Sequence, residues 1–125
     1  MQTFLSRQQC KYLYPALTPG PVQNLTATVD TNKPSVTLNW DRPTNARCAG
    51  DVTKYEVHFW EEEEGRHSEK FVNGSATTAV ITWQSGIRAL ATFAFRVRAC
   101  CGDDVSQKWE TVSAFVGTYV VVGLC

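Results

Sequence analysis

The sequence predicts an all-β sandwich, and two observations support this prediction. The first is alternation: Leu25, Ala27 and Val29 are separated by polar residues, and later runs repeat the pattern. A period of two is typical of strands with one buried face. The second is the turn chemistry between the runs, of which Asn73-Gly74 is the strongest hairpin signal. Short strands separated by turns indicate two antiparallel sheets packed face to face.

Three further alternating runs follow the first one along the chain. They contain Val36, Leu38 and Trp40, then Tyr55, Val57 and Phe59, then Phe93, Phe95, Val97 and Ala99. Turn-forming residues follow the first three runs at 30–34, 41–45 and 61–65. The expected core consists of the large apolar residues of these runs: Trp40, Tyr55, Val57, Phe93, Phe95 and Val97. An inward tryptophan is large enough to fill the gap between sheets about 10 Å apart.

The composition is that of one ordinary globular domain. The 125 residues are 43% hydrophobic, and 12 basic residues balance 12 acidic ones. A formal net charge of zero provides no overall field that would draw the protein to nucleic acid or to an anionic membrane. We therefore expect neither as a partner. The most apolar stretch, 119–125, is far too short to span a bilayer.

The chain has five cysteines: Cys10, Cys48, Cys100, Cys101 and Cys125. An odd number leaves one thiol unpaired or used between chains. Choosing it in five ways and pairing the other four in three ways leaves 15 arrangements open. Two glycosylation sequons, Asn24-Leu25-Thr26 and Asn73-Gly74-Ser75, favour an extracellular protein. The alternative is a cytosolic protein with reduced cysteines. Residues 1–13 lack the apolar core of a signal peptide, so an extracellular chain would be a processed or excerpted piece.

Nothing in the sequence indicates a catalytic site, a metal site or a cofactor. There is no C-x-x-C motif, and His58 and His67 are the only histidines. No cysteine is paired with an identifiable base and orienting group. No glycine-rich phosphate-binding loop is present either. We therefore expect a protein that is not an enzyme.

Several runs, in this order along the chain, resemble the strands of fibronectin type III domains. They are Pro19–Ala27, Val36–Trp40 followed by Pro43, Gly50–Val57, Gly86–Ala89 and Phe93–Ala99, and then Ser106–Val116. The resemblance implies a seven-stranded antiparallel β-sandwich over residues 19–117, an N-terminal tail or linker over 1–18, and a short apolar C-terminal tail over 118–125. Two departures stand out. Phe93 replaces the usual corner tyrosine, and the spacing from the fifth strand, 78–83, to Ile87 would need a one-residue bulge.

The resemblance also implies where the cysteines meet. The loops after the second and sixth strands lie at one pole, so Cys48 would bond to Cys100 or Cys101, and Cys10 would take the other. Cys125 would then be the unpaired thiol. Partner surfaces of such domains lie on loops or exposed sheet faces. The expected partner-binding residues are loop residues of this pole: Arg42, Asn45, Arg47, Asp103 and Asp104.

The same resemblance places Arg96 and Arg98 on the outer face beside Trp60, where cation–π contacts are expected. Class I cytokine receptors have arginines on this strand beside the tryptophans of a W-S-x-W-S motif. Here only Ser106-Gln107-Lys108-Trp109 lies in that region, and the motif is absent. Glu61–Glu64 is expected to be a solvated hairpin tip.

These expectations favour an extracellular protein–protein interaction module of an adhesion, receptor or matrix protein. A rigid, non-catalytic scaffold would present loops to a protein partner. One alternative is a structural spacer of a tandem array or of a disulfide-linked oligomer, for example a dimer. A weaker alternative is a cytokine-receptor-like ligand-binding domain.

Overall fold

The computed structural model describes residues 18–44 and 52–117, which form a two-sheet β-sandwich. The strands are β1 (Gln23–Asp30), β2 (Ser35–Asp41), β3 (Lys54–Glu61), β4 (His67–Asn73), β5 (Thr78–Thr82), β6 (Ala91–Cys101), β7 (Asp104–Val105) and β8 (Glu110–Val116). The smaller sheet has the order β1-β2-β5. In the larger sheet, β4-β3-β6 are neighbours, and both β7 and β8 pair with β6.

All strand pairs are antiparallel, as the sequence predicts. The described residues contain eight strands, whereas the sequence predicts seven. The additional strand is the two-residue β7, which forms a tight hairpin with the end of β6. Gly102 begins the turn of this hairpin with a φ of +62°, a conformation that glycine adopts without strain.

The core lies between the two sheets and contains the residues that alternation marks as inward. Trp40 is 3% exposed, and its ring meets Tyr55 edge-on with a centroid distance of 5.1 Å. The other expected core residues, Val57, Phe93, Phe95 and Val97, are buried as well. From β1, Leu25, Ala27 and Val29 pack against this cluster while remaining partly exposed. The fold prediction is therefore confirmed in class and in core composition.

The segment after the fifth strand differs from expectation. Ala79 and Ile81 of β5 face inward, and the strand ends at Thr82. A 3-10 turn over Trp83–Ser85 follows, so the spacing to the buried Ile87 is set by this turn and not by a bulge. The cause is local, because Gly86 takes a φ of +113° and its N–H donates to the Trp83 carbonyl oxygen, which closes the turn.

The tip of the β3–β4 hairpin also differs from expectation at its first residue. Glu61 is only 8% exposed, although it opens the acidic run that was expected to be solvated. The guanidinium of Arg88 donates to both of its carboxylate oxygens, with Nε at 3.1 Å from Oε2. The bond to Glu61 raises the pKa of Arg88. Glu62, Glu63 and Glu64 are exposed, as expected.

Candidate functional site

Charged and aromatic side chains line the outer face of the larger sheet. Glu56 and His58 on β3 lie opposite Arg98 and Arg96 on β6. Alternation places Tyr55, Val57, Phe95 and Val97 of the same strands in the core, so their sequence neighbours face outward. Trp60 continues this outward row on β3, where it lies opposite Ala94.

The two arginines of this face lie against tryptophan rings. The Arg96 Cζ atom is 5.7 Å from the Trp60 ring centroid and 4.2 Å from that of Trp109. The Arg98 Cζ atom is 4.3 Å from the Trp109 centroid. Stacking of Arg96 near Trp60 follows the sequence-based expectation, whereas Arg98, which was expected to contact the same ring, stacks on Trp109. The larger share of the contact, however, comes from Trp109, for which the sequence predicts no contact.

The segment before β8 brings Trp109 to this face. Ser106 is 1% exposed, and its N–H donates to the carbonyl oxygen of Ala99 at 2.9 Å. The Ser106 hydroxyl donates to the Lys108 carbonyl oxygen at 3.0 Å and accepts from the Lys108 N–H at 3.3 Å. These bonds form a compact turn that ends at Trp109. The indole ring then lies over both arginines and 4.6 Å from the ring of His58.

A hydrogen-bonded ion-pair network lies beside the rings. Arg98 Nε donates to Glu56 Oε2 at 2.9 Å, and the Nε2 of His58 donates to Glu56 Oε1 at 2.7 Å. Arg96 Nη2 donates to His58 Nδ1 at 3.2 Å. Burial of Glu56 by itself raises its pKa, but the bonds from Arg98 and His58 outweigh burial and lower it. This network could not be predicted from the sequence, because it depends on the register between β3 and β6.

One group of metal-ligating side chains comes together within residues 18–44 and 52–117. Donor atoms of Glu56, His58 and Glu69 lie within 4.8 Å of one another. An arginine can only donate and a carboxylate only accepts, so the neutral His58 ring has its proton on Nε2, the atom a metal would need. Arg98 also occupies the second oxygen of Glu56. This arrangement suits an ion-pair network better than a metal ion, and the expected absence of a metal site stays a prediction.

Three of the five expected partner-binding residues, Arg42, Asp103 and Asp104, lie at one pole of the sandwich. Arg42 follows β2 and is exposed, and Asp103 is exposed in the β6–β7 turn. Asp104 is partly buried at the start of β7. Arg42 lies close enough to affect Tyr55 near the start of β3: burial raises the pKa of Tyr55, and the charge of Arg42 partly offsets the rise. Asn45 and Arg47 lie outside the described residues.

The two adjacent cysteines at the end of β6 differ in state. Cys101 faces the core side and is disulfide-bonded, and its partner is not among the described residues. Cys100 is a free thiol with no exposed surface. The expectation that both cysteines form bridges is therefore wrong for Cys100. Side chains of neighbouring strand residues point to opposite faces, so the sulfurs of Cys100 and Cys101 lie on opposite sides of the sheet.

Burial raises the pKa of the Cys100 thiol, as does the nearby carboxylate of Glu56. A buried thiol with a raised pKa is unreactive. The expectations for Cys10, Cys48 and Cys125 concern residues outside the described part of the chain and stay predictions.

Both sequon asparagines are exposed, but their side chains are held differently. The amide of Asn24 donates from Nδ2 to Asp41 Oδ2 at 2.7 Å, and Asn24 has a φ of +52°. The Asn73 Oδ1 atom accepts from the N–H and from the hydroxyl of Ser75, each at 2.9 Å. Within the described part of the chain, no helix has the length and hydropathy needed to cross a membrane.

Comparison with known proteins gives a family and a fold. The family model of the fibronectin type III domain matches residues 20–114. A redesigned β-sandwich protein has 17% identity and a TM-score of 0.62, with coverage of 78% of this chain and 95% of that one. A structure described as a myokine has 14% identity and a TM-score of 0.64, with coverage of 80% and 99%.

A crystal structure of titin domains has 19% identity and a TM-score of 0.65, with coverage of 80% of this chain and 32% of that one. At these identities the structural likenesses show the fold alone. No curated protein matches the sequence.

Proposed function

Because this chain belongs to the fibronectin type III family, we propose that it is an extracellular protein–protein interaction module whose loops at one pole bind a protein partner. The observation that supports this proposal most directly is the pole at the end of β6. There Cys101 is disulfide-bonded, and Arg42 and Asp103 are exposed nearby in the topology. Disulfides persist in oxidising, mostly extracellular, environments.

The mechanism is that of a rigid scaffold. The buried core fixes the ends of β2, β3 and β6, and the loops joined to them carry charged side chains of both signs. A surface with Arg42 and Asp103 suits a partner with complementary charges, which would select orientation and speed association. In this proposal Asn45 and Arg47 extend the same surface, since they lie in the chain between Arg42 and β3.

Charge-reversed variants of the pole test this proposal. The full chain would be secreted from eukaryotic cells and screened against a panel of purified receptor and matrix ectodomains. For an ectodomain that binds one-to-one, R42E and D103K should each weaken binding by about tenfold or more. The matched control is K33E, because Lys33 is exposed in the β1–β2 turn at the opposite pole. Equal losses for all three variants, or no loss for the pole variants, would contradict the proposal.

The spacer alternative makes a different prediction. A spacer or a disulfide-linked dimer would bind no ectodomain specifically, and the secreted chain would run as a covalent dimer without reductant. Cys100 is completely buried, so such a bond would have to use a different cysteine. Intact mass with and without reductant separates this alternative from the interaction module.

A cytokine-receptor-like domain is a second candidate, favoured by one specific observation. The stack of Arg96 and Arg98 on Trp109 is similar to the arginine–tryptophan arrangement of class I cytokine receptors. The residues around Trp109 do not form their W-S-x-W-S motif. Specific binding of a helical cytokine, weakened by R42E and unaffected by K33E, would support this narrower assignment.

A further inference from the structure

Phe71 is an aromatic residue with half of its surface exposed on a strand that otherwise carries mostly polar side chains. It lies on β4, the edge strand of the larger sheet, and is 50% exposed. The ammonium of Lys54 lies 4.5 Å from its ring centroid. The ring therefore has one cationic neighbour, and half of its surface is open to solvent.

Asn73 lies two residues further along β4, on the same face as Phe71. Residues two apart on a strand are about 7 Å apart, a distance that an asparagine side chain with one attached sugar can cover. Asn73 is also directly opposite Lys54, so Phe71, Asn73 and Lys54 border the same piece of surface.

The turn after Asn73 holds the sequon in a defined shape. Both bonds from Ser75 use the Oδ1 atom of Asn73, so they leave Nδ2, the atom that a glycan would modify, outside this interaction. The Ala76 N–H donates to the Asn73 carbonyl oxygen at 2.9 Å, which closes the turn. Any Cβ at Gly74 would lie 2.0 Å from the Val52 carbonyl oxygen, so the turn requires glycine at that position.

We propose that Asn73 carries an N-linked glycan whose first N-acetylglucosamine packs on the exposed ring of Phe71. The inference rests on the proposed extracellular function, because only the secretory pathway supplies the donor. In the transfer, Asn73 Nδ2 bonds to C1 of a lipid-diphosphate-linked oligosaccharide. The bond from C1 to the phosphate oxygen breaks, the lipid diphosphate leaves, and the amide loses one proton.

Physical chemistry favours the sugar–ring contact. The face of an aromatic ring is electronegative, which attracts the Lys54 ammonium and also attracts the polarised C–H bonds of a pyranose ring. Covering the ring also removes apolar surface from water. Asn24 has no such support, since its neighbours within two residues are Val22, Gln23, Leu25 and Thr26.

The glycan would also limit the proposed partner surface. Asn73 is opposite Lys54, and Lys54 is in turn opposite Cys100, so Asn73 lies at the same end of the larger sheet as the β6–β7 turn. Two strand spacings separate it from β6, or about 10 Å. A partner at the pole would therefore approach from the side of Arg42 and Asp103 rather than over β4.

The test is a double-mutant cycle on the full chain, secreted with an added signal sequence and trimmed to the first N-acetylglucosamine. Peptide mapping gives the occupancy of Asn73 and Asn24. S75A removes the Asn73 sequon, and F71S removes the ring. With Phe71 present, loss of the glycan should lower the unfolding midpoint by about 4–8 °C, the shift expected for one aromatic contact in a domain of this length. In the F71S background the same loss should change the midpoint by less than about 2 °C.

Two controls make the result specific. F115S replaces an aromatic residue of similar exposure, 58%, on β8, and should leave the effect of the Asn73 glycan unchanged. N24Q removes the other sequon, and its effect should be the same in the wild-type and F71S backgrounds. F71T repeats the cycle if F71S does not fold.

The inference is overturned if Asn73 is unmodified in the secreted chain, or if the glycan effect is equal with and without Phe71. Glycan on Asn24 alone would show that the chain passed through the secretory pathway and that only this inference fails. The partner-binding experiment is independent, because the cycle is measured on the isolated chain. Loss of partner binding would leave the cycle unchanged.

Discussion

The two faces of β3 and β6 are built from alternate residues of the same strands, yet they are stabilised in different ways. The inner face is mostly apolar, and its residues Tyr55 and Phe95 have no exposed surface. The outer face combines Arg96, Arg98 and Glu56 with aromatic rings. On the inner face each residue contributes by leaving water, whichever apolar neighbour it meets. On the outer face each contribution depends on one particular partner at one particular distance.

This difference predicts that substitutions on the inner face reduce stability more than substitutions on the outer face. Truncation of a buried large residue removes apolar contact and leaves a cavity, whereas an exposed ion pair contributes little because water and salt screen it. Glu56 is the exception on the outer face, since it is 8% exposed and holds two hydrogen-bonded partners. A graded series of substitutions can therefore rank the two faces by how much each contributes to the free energy of unfolding.

The largest effect is expected for Trp40→Ala. Trp40 is 3% exposed and packs edge-on against Tyr55, so truncation should reduce the free energy of unfolding by about 3–5 kcal/mol. Urea unfolding followed by circular dichroism measures this change. Trp83→Ala is the matched control, because Trp83 is 55% exposed and its truncation should cost less than about 1 kcal/mol. Similar losses for both variants would show that the core is not organised around Trp40.

A smaller loss is expected for Glu56→Gln, which keeps the shape of the side chain and removes its charge. Hydrogen bonds to charged groups contribute about 1.5–3 kcal/mol, so we expect a loss of about 1–3 kcal/mol. Glu69→Gln is the control, since the Glu69 side chain is 60% exposed and lies 3.3 Å from the same His58 nitrogen. Its loss should stay below about 0.5 kcal/mol. An equal loss in the control would mean that burial of Glu56 is unimportant.

The difference in unfolding free energy between wild type and E56Q should also depend on pH, and the sign of this dependence follows from the pKa of Glu56. The pKa of Glu56 is lower in the folded protein than its ordinary value of 4.5, so the unfolded chain binds its proton more readily. The stabilisation is fully present above the unfolded pKa and is lost as pH falls through the folded pKa. The difference in unfolding free energy between wild type and E56Q should therefore shrink below about pH 4. A constant difference from neutral to acidic pH would contradict this assignment.

The sequence predicts the inner face of the larger sheet better than its outer face. Alternation was sufficient to place Trp40, Tyr55 and Phe95 in the core, because burial depends mainly on residue type and period. The network of Glu56 with Arg98 was not predicted, because it requires the register between two strands more than 30 residues apart in sequence.

Two errors have related physical causes. Glu61 belongs to a run of four glutamates that indicates solvation, but a distant arginine, Arg88, neutralises it in a buried position. Cys100 and Cys101 are chemically identical in the sequence. The direction of the side chains along β6 distinguishes them, since Cys101 lies on the core side and Cys100 does not. The partner-binding residues stay a prediction, since nothing in the fold identifies the partner.

An intermediate effect is expected for Trp109→Leu, which tests whether the outer face depends on this ring. The substitution removes the stacking surface of Arg96 and Arg98 while keeping an apolar side chain. Two half-buried cation–π contacts of at least about 0.5–1 kcal/mol each predict a loss of about 1–2 kcal/mol in urea unfolding. Trp83→Leu is the control and should change stability by less than about 0.5 kcal/mol. A loss no larger than the control would mean that the stack is a surface contact without energetic weight.

The smallest effect is expected for Arg96→Lys, which keeps the positive charge and removes the planar guanidinium. A lysine ammonium is a compact, strongly hydrated charge and stacks poorly on an indole ring. It also supplies no fixed fork of donors for His58 Nδ1, which accepts from Arg96 at 3.2 Å. We therefore expect a loss of about 0.5–1 kcal/mol, and no loss for Arg66→Lys in the exposed β3–β4 turn.

The R96K loss should be smaller when Trp109 is already replaced by leucine, because the stack on Trp109 is then absent while the contacts of Arg96 with Trp60 and His58 remain. If lysine instead costs the same in both backgrounds, the Trp109 ring does not account for the loss, and if lysine costs nothing in either background, the positive charge alone is sufficient. The contrast between the two faces would then be one of polarity, with no dependence on the stacking geometry of the outer face.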